Sequence, residues 1–222
     1  MKIVRLVPDC SNPDDMISRF CAKSIKLPYS VELIYLPFVL FRYKIEMSGF
    51  FSGKKNEKGL FMVDLIQGIP VNIKKNTRFK VEKGLQKNFD IFNDLFTFRE
   101  NKKTKTISIK SKKVKADKVL PKVLDKMTAI KMGKKLLRYD IMRLTGGLRY
   151  RRIDIIPCPD TRVLYYPYWL IYYRNRHTQI KFVVLDGLSG QKEGGQIVRS
   201  IEIALVKKHK DDKELNSVRG AN

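Results

Sequence analysis

The sequence predicts an α+β fold: internally duplicated antiparallel β-hairpin units forming a sheet, with helices packed on one side. Three observations carry this. Tyr165–Gly190 reads as an aromatic strand, a polar basic turn and an apolar strand closing on Asp-x-x-x-Gly. Tyr35–Gly68 repeats that order. Helical apolar spacing occurs in separate segments of the chain, outside the two hairpins.

Both first strands read Tyr-x-Pro-aromatic-x-Leu-x-x-Tyr, through Tyr35, Pro37 and Tyr43 in one copy and Tyr165, Pro167 and Tyr173 in the other. Both second strands end in the same turn, Asp64 to Gly68 and Asp186 to Gly190. An aspartate followed by glycine four residues on shapes a tight turn through its own side-chain hydrogen bonds, so these two carboxylates are read as structural rather than as a catalytic pair. A lone hairpin is marginal in water, and pooling two apolar faces answers that.

Taken in order, residues 2–7 read as a short strand. Ser11-Asn12-Pro13-Asp14-Asp15 reads as a helix start, with Met16, Ile17, Phe20, Cys21 and Ile25 on one face and Pro28 ending it. The first hairpin strand is apolar on both faces until Arg42 and Lys44, as in a strand covered on both sides at one end. Ser48–Gly59 reads as a mobile loop. Phe96–Glu100 and Lys105–Lys110 are expected to form a further hairpin. A helix is predicted from about 119 to 144, on Leu120, Val123, Leu124, Met127, Ile130, Leu137, Ile141 and Leu144, with Pro121 in its first turn and Gly146-Gly147 as its stop. Leu148–Ile156 reads as a strand that Pro157 and Pro159 break. A C-terminal helix is expected from near Gly195, carrying Ile197, Val198, Ile201, Ala204 and Leu205. These elements divide the chain into an N-terminal half (1–100), a basic linker or hairpin (101–118), a C-terminal helix-plus-hairpin half (119–206) and a disordered tail (207–222).

Charge is the outlier of the composition. Lys and Arg number 46 against 22 acidic residues in 222, a formal net charge of +24. Such a surplus draws polyanions: nucleic acid, anionic lipid head groups or an acidic protein. The densest tract supplies Lys102, Lys103, Lys105, Lys110, Lys112, Lys113 and Lys115; Arg149, Arg151 and Arg152 cluster ahead of the second hairpin, and Arg174 and Arg176 follow its aromatic strand. Tyr166, Tyr168 and Tyr172 share a strand face with those last arginines, an arrangement that can stack bases and hold phosphates. Trp169 and Tyr173 on the opposite face are expected to fill the core.

Reactive chemistry has few candidates. His177 and His209 stand apart, Cys10, Cys21 and Cys158 form no CxxC pair, and no Walker loop, GxGxxG or GxSxG occurs. No catalytic residue, metal ligand or cofactor is expected. The cysteines are expected to be buried reduced thiols. With no signal-peptide pattern at the start and no long apolar run, the expected location is cytoplasmic.

The block Tyr166-Pro167-Tyr168-Trp169-Leu170, continued by Phe182–Gly194, resembles a Y-x-P-F/Y-W…V-D-G-x-T/S-G-x-x-x-G segment of bacterial proteins, often placed beside a zinc ribbon. It is also similar to the PepSY-type module, in which a helix precedes antiparallel strands ending in a D-x-x-T/S-G turn. The resemblance implies a helix-on-hairpin fold and a protein-interaction or assembly role. The zinc-ribbon cysteines are missing from this chain. The composition favours a different role, a non-enzymatic basic module that binds nucleic acid or another polyanion through phosphate contacts.

Overall fold

The computed structural model describes residues 2–6, 12, 14, 17–18, 20–21, 28–49, 54–71, 77–81, 105–144, 152–174, 179–187 and 190–219. Its elements are β1 (Lys2–Leu6), β2 (Pro28–Ser48), β3 (Lys54–Asp64), β4 (Pro70–Val71), β5 (Thr77–Val81), β6 (Lys105–Val114), a 3₁₀ turn (Ala116–Lys118), α1 (Lys126–Leu144), β7 (Arg152–Arg174), β8 (Ile180–Asp186) and α2 (Gly195–Arg219). The fold is α+β, with strand pairs that are mainly antiparallel. Two compact units share the chain: residues 1–37, 111–123 and 165–222 make one, and residues 38–110 and 124–164 the other. Neither unit is continuous, whereas the sequence reading divides the chain into consecutive halves. The long strands β2 and β7 each contribute to both units.

In the unit containing residues 38–110, β2 pairs antiparallel with β3 from Phe38↔Asp64 out to Ser48↔Lys54. The predicted loop Ser48–Gly59 is therefore mostly strand: Gly59 pairs with Tyr43, and Lys54 to Lys58 pair with Ser48 to Lys44 at the far end of the ribbon. Such residues lack apolar alternation, but a long partner strand still satisfies their backbone. Val39, Phe41, Val63 and Leu65 bury against Ala129 and Ile130 of α1. Ile45 and Met47 continue the core with Ile153 and Ile155 of β7. Each of the larger side chains contributes about 1.5–3 kcal/mol relative to exposure.

α1 begins at Lys126 rather than near 119. The Asp125 carboxylate accepts from the backbone N–H of Met127 (2.8 Å) and Thr128 (3.0 Å), which caps the helix there. In this unit the N–H of Leu124 donates to the Leu65 carbonyl at 2.8 Å, so the backbone ahead of Asp125 is committed to a non-helical partner. β6 pairs in parallel with β5, Thr77↔Lys105 through Val81↔Ile109. The lysine tract is thus in large part a strand, and the partner of Lys105–Lys110 is β5; Phe96–Glu100, the expected partner, lies outside the described residues.

In the other unit β7 pairs antiparallel with β8, from Tyr168↔Asp186 to Arg174↔Ile180, and β1 pairs in parallel with β7 at Leu6↔Tyr165. The Leu120 N–H donates to the Tyr35 carbonyl at 3.0 Å, and Val119 bridges Tyr35, which holds these residues extended. The core is Phe20, Trp169, Ile171, Tyr173 and Leu185, with Val31, Leu33 and Val183 packed against it. Trp169 and Tyr173 fill the core as their strand face predicts. Cys21, expected to be buried, is exposed, one residue past the buried Phe20 on its helical turn. α2 packs on β8 and runs through the predicted tail to Arg219. Lys207 pairs with Asp211 one turn on (3.5 Å), and Lys208 donates to the Asp117 carbonyl, so polar residues sustain the helix there.

β7 runs unbroken through Pro157 and Pro159. Proline's fixed φ lies within extended backbone, and residues two apart direct their missing N–H groups to the same edge. Pro37 and Pro167 each stand one residue before the first rung of their hairpin ladders, where a missing donor is tolerated.

Taken individually, the two Asp–Gly turns share a backbone bond, a bridge and a left-handed glycine. Asp64 N donates to Ile69 O at 3.0 Å, and Asp186 N to Gln191 O at 2.8 Å. Val63 pairs with Pro70 as Leu185 does with Lys192. Gly68 (φ 71°) and Gly190 (φ 66°) both take the left-handed conformation that glycine adopts without strain.

Candidate polyanion-binding cleft

α1 carries three distinct faces on one sequence. Ala129, Ile130 and Gly133 are buried and Leu137 half-buried, recurring three or four apart toward the strands. Lys134, Lys135 and Arg138 lie around the helix from them. The start of β7 alternates, with Ile153 and Ile155 in the core and Arg152 and Ile156 exposed. Together with Glu46 and Asp154, these residues of α1 and β7 line a cleft of about 570 Å³.

Four cations border the cleft against two carboxylates, and both carboxylates have cationic partners: Lys44 Nζ stands 2.5 Å from Glu46 Oε1, and Arg152 Nε 2.6 Å from Asp154 Oδ2. Among the described residues, Lys134, Lys135 and Arg138 have no carboxylate partner. The Arg152–Asp154 pair is solvent-exposed, and such pairs contribute about 0–1 kcal/mol, so an arriving phosphate can recruit Arg152. An arginine offers a planar fork to phosphate and a lysine a point charge. With the Ile156 side chain exposed beside them, the arrangement can hold an anion whose neighbouring group is apolar or planar.

Of the residues singled out in the sequence, Arg152 lies in this cleft. Lys105, Lys110, Lys112 and Lys113 lie on β6, and Lys115 is exposed just beyond it. Lys102, Lys103, Arg149, Arg151, Arg176 and His177 lie outside the described residues. The tyrosine face does not present a row of free rings. Tyr168 and Tyr166 are buried with ring centroids 5.2 Å apart, and the Tyr166 hydroxyl donates to Asp186 Oδ2 at 2.7 Å. Tyr172 packs on Phe182 at 5.8 Å and donates to Glu32 Oε2 at 3.5 Å. Burial, reinforced by the Glu32 charge, pushes its hydroxyl up to about 12. Arg174 is exposed, its guanidinium 5.2 Å from the centroid of the Tyr29 ring.

Lys134, Lys135 and Arg138 are not among the cations that the sequence singles out, because the apolar period dominates the segment that forms α1. The signal was there: Lys126, Lys131, Lys134, Lys135, Arg138 and Arg143 stand on one helix whose acid is Asp140. Asp64, by contrast, is fully buried and its Oδ1 accepts from backbone N–H groups of its own turn, which is the structural role expected of it. Among the described residues no three His, Cys, Asp or Glu side chains converge on a metal site, and no helix is long and apolar enough to cross a membrane.

No protein-family model, curated protein or solved structure matches this chain.

Proposed function

We propose that the protein is a non-enzymatic module that binds nucleic acid through its phosphates, with the α1–β7 cleft as a principal contact. The observation that carries this reading is the trio Lys134, Lys135 and Arg138, without carboxylate partners among the described residues and set beside Arg152 over an exposed isoleucine. The net charge of +24 supplies long-range attraction. Lysine contacts position a backbone without reading bases, so affinity is expected to vary little with sequence. The test is fluorescence anisotropy of labelled single-stranded RNA and duplex DNA titrated across salt. Four phosphate contacts to a single strand correspond to a log–log slope of about −3. A slope near zero removes the proposal.

A second reading is favoured by the matching turns: the two hairpins descend from an internal duplication of a PepSY-like helix-and-hairpin unit. Its support is the shared Asp N–H bond, the shared bridge and the shared left-handed glycine. An experimental structure in which the Asp64–Gly68 and Asp186–Gly190 hairpins fail to superimpose would remove it.

A further inference from the structure

The third face of α1 is apolar and exposed. Met132, Leu136 and Tyr139 are 39%, 39% and 65% exposed and recur at i, i+4 and i+7, which sets them in one stripe; Met142 is exposed a turn further on. Each of the three directly follows a cation, Lys131-Met132, Lys135-Leu136 and Arg138-Tyr139, so a cationic stripe runs parallel to the apolar one about 100° around the helix. Large apolar side chains gathered on one exposed helix face mark an interaction surface.

We propose that this face of α1 docks on the surface of an anionic phospholipid bilayer. The residues match the layers of such a surface. Methionine and leucine suit the acyl boundary, tyrosine suits the head-group level, and lysine and arginine stems extend along apolar surface while their charges reach lipid phosphates. A second copy of the chain is a poor occupant, because it would bring another cationic stripe and another +24 against the first. A protein partner is also poorly served: the stripe from Met132 to Met142 offers Met132, Leu136, Tyr139 and Met142, against the roughly 20–30 residues a side of a standard interface. A bilayer requires no complementary shape. Lys135 and Arg138 also line the cleft, so lipid and nucleic acid are expected to compete for them; Leu136 and Tyr139 are not part of the cleft, which makes the two activities separable.

The test is co-sedimentation of the full chain with vesicles of phosphatidylcholine alone or mixed with phosphatidylserine, at physiological salt. Binding is expected to the anionic vesicles and not to the neutral ones. The neutral double variant Leu136→Ser/Tyr139→Ser should lower the partition coefficient about tenfold or more while leaving RNA affinity unchanged, because it removes apolar contact and no charge. In a Tyr139→Trp variant, indole emission should shift to the blue on adding anionic vesicles, against the constant contribution of the buried Trp169. Three results overturn the proposal: no binding to anionic vesicles with RNA binding intact, serine-variant binding equal to wild type, or capture by an acidic amphipathic peptide in place of vesicles. Loss of RNA binding with vesicle binding retained would instead count against the nucleic-acid reading alone.

Discussion

Replacing Asp64 by alanine should destabilise the hairpin that supports α1 more than any other single change in its turn. The Asp64 carboxylate is fully buried, and Oδ1 accepts from Gln67 N at 2.8 Å, Ile69 N at 3.2 Å and Ile66 N at 3.4 Å. Two of these are well formed and the third is weak. A hydrogen bond to a charged group contributes about 1.5–3 kcal/mol, and alanine leaves the donors with no acceptor in a buried turn, so the expected cost is about 3–5 kcal/mol. Asp64→Asn keeps an oxygen at that position and should cost about 1–2 kcal/mol. Asp186→Ala is the internal comparison; its side chain is half-buried, and it should cost less. Urea unfolding of the full chain measures the totals, and amide exchange at Gln67 and Ile69 reports the turn itself. An alanine variant within about 1 kcal/mol of wild type, with exchange at those amides unchanged, would refute the view that this carboxylate organises the turn.

Gly68→Ala should destabilise by about 1–3 kcal/mol, since it places a Cβ in left-handed backbone 2.8 Å from the Met132 Cβ. Gly187→Ala, whose Cβ would stand 2.6 Å from the Pro167 carbonyl oxygen, should also destabilise, while Gly194→Ala meets open space; thermal melts rank the three, and a Gly187 variant as stable as the Gly194 variant would contradict the close approach. Burial, then the charge of Asp186, holds the Glu193 carboxyl above the usual carboxylate value of 4.5. A raised carboxyl loses stability as pH rises through that value, so Glu193→Gln should be the more stable protein at pH 7 and lose its advantage in acid below the ordinary carboxylate range. Tyr172 should ionise near pH 12 in ultraviolet difference titration, and Glu32→Gln should move that titration down; because the native hydroxyl ionises later than the unfolded one, stability falls between about pH 10 and 12.

Much of this architecture was legible where one physical demand dominated. The Tyr-x-Pro strands and Asp-x-x-x-Gly turns state their pairing locally, because proline stands just before the first rung and the aspartate N–H bonds across its own turn. Trp169 and Tyr173 announced a core by alternation. The start of α1 was not legible, because the apolar residues from Leu120 to Leu124 fit a helical period equally well. Their backbone hydrogen bonds, Leu120 to Tyr35 and Leu124 to Leu65, decide the matter from far along the chain. Pro157 and Pro159 read as breakers because a sequence does not say that their missing N–H groups, two residues apart, fall on the same edge of one long strand. The polar end of α2 lacks the apolar period that signals helix, and its local ion pair was hidden among many charges. The cleft is not legible for a related reason: its cations sit on α1 and β7 and meet only in the folded chain, whereas the lysine tract is dense along the sequence.

The most direct measurement of the central claim is lysine acetylation of the full chain, read by mass spectrometry with and without bound single-stranded RNA. The account predicts that Lys134 and Lys135 are strongly protected, while exposed Lys210 and Lys213 on α2 keep their reactivity. Uniform protection of all exposed lysines, or protection that spares Lys134 and Lys135, would contradict it.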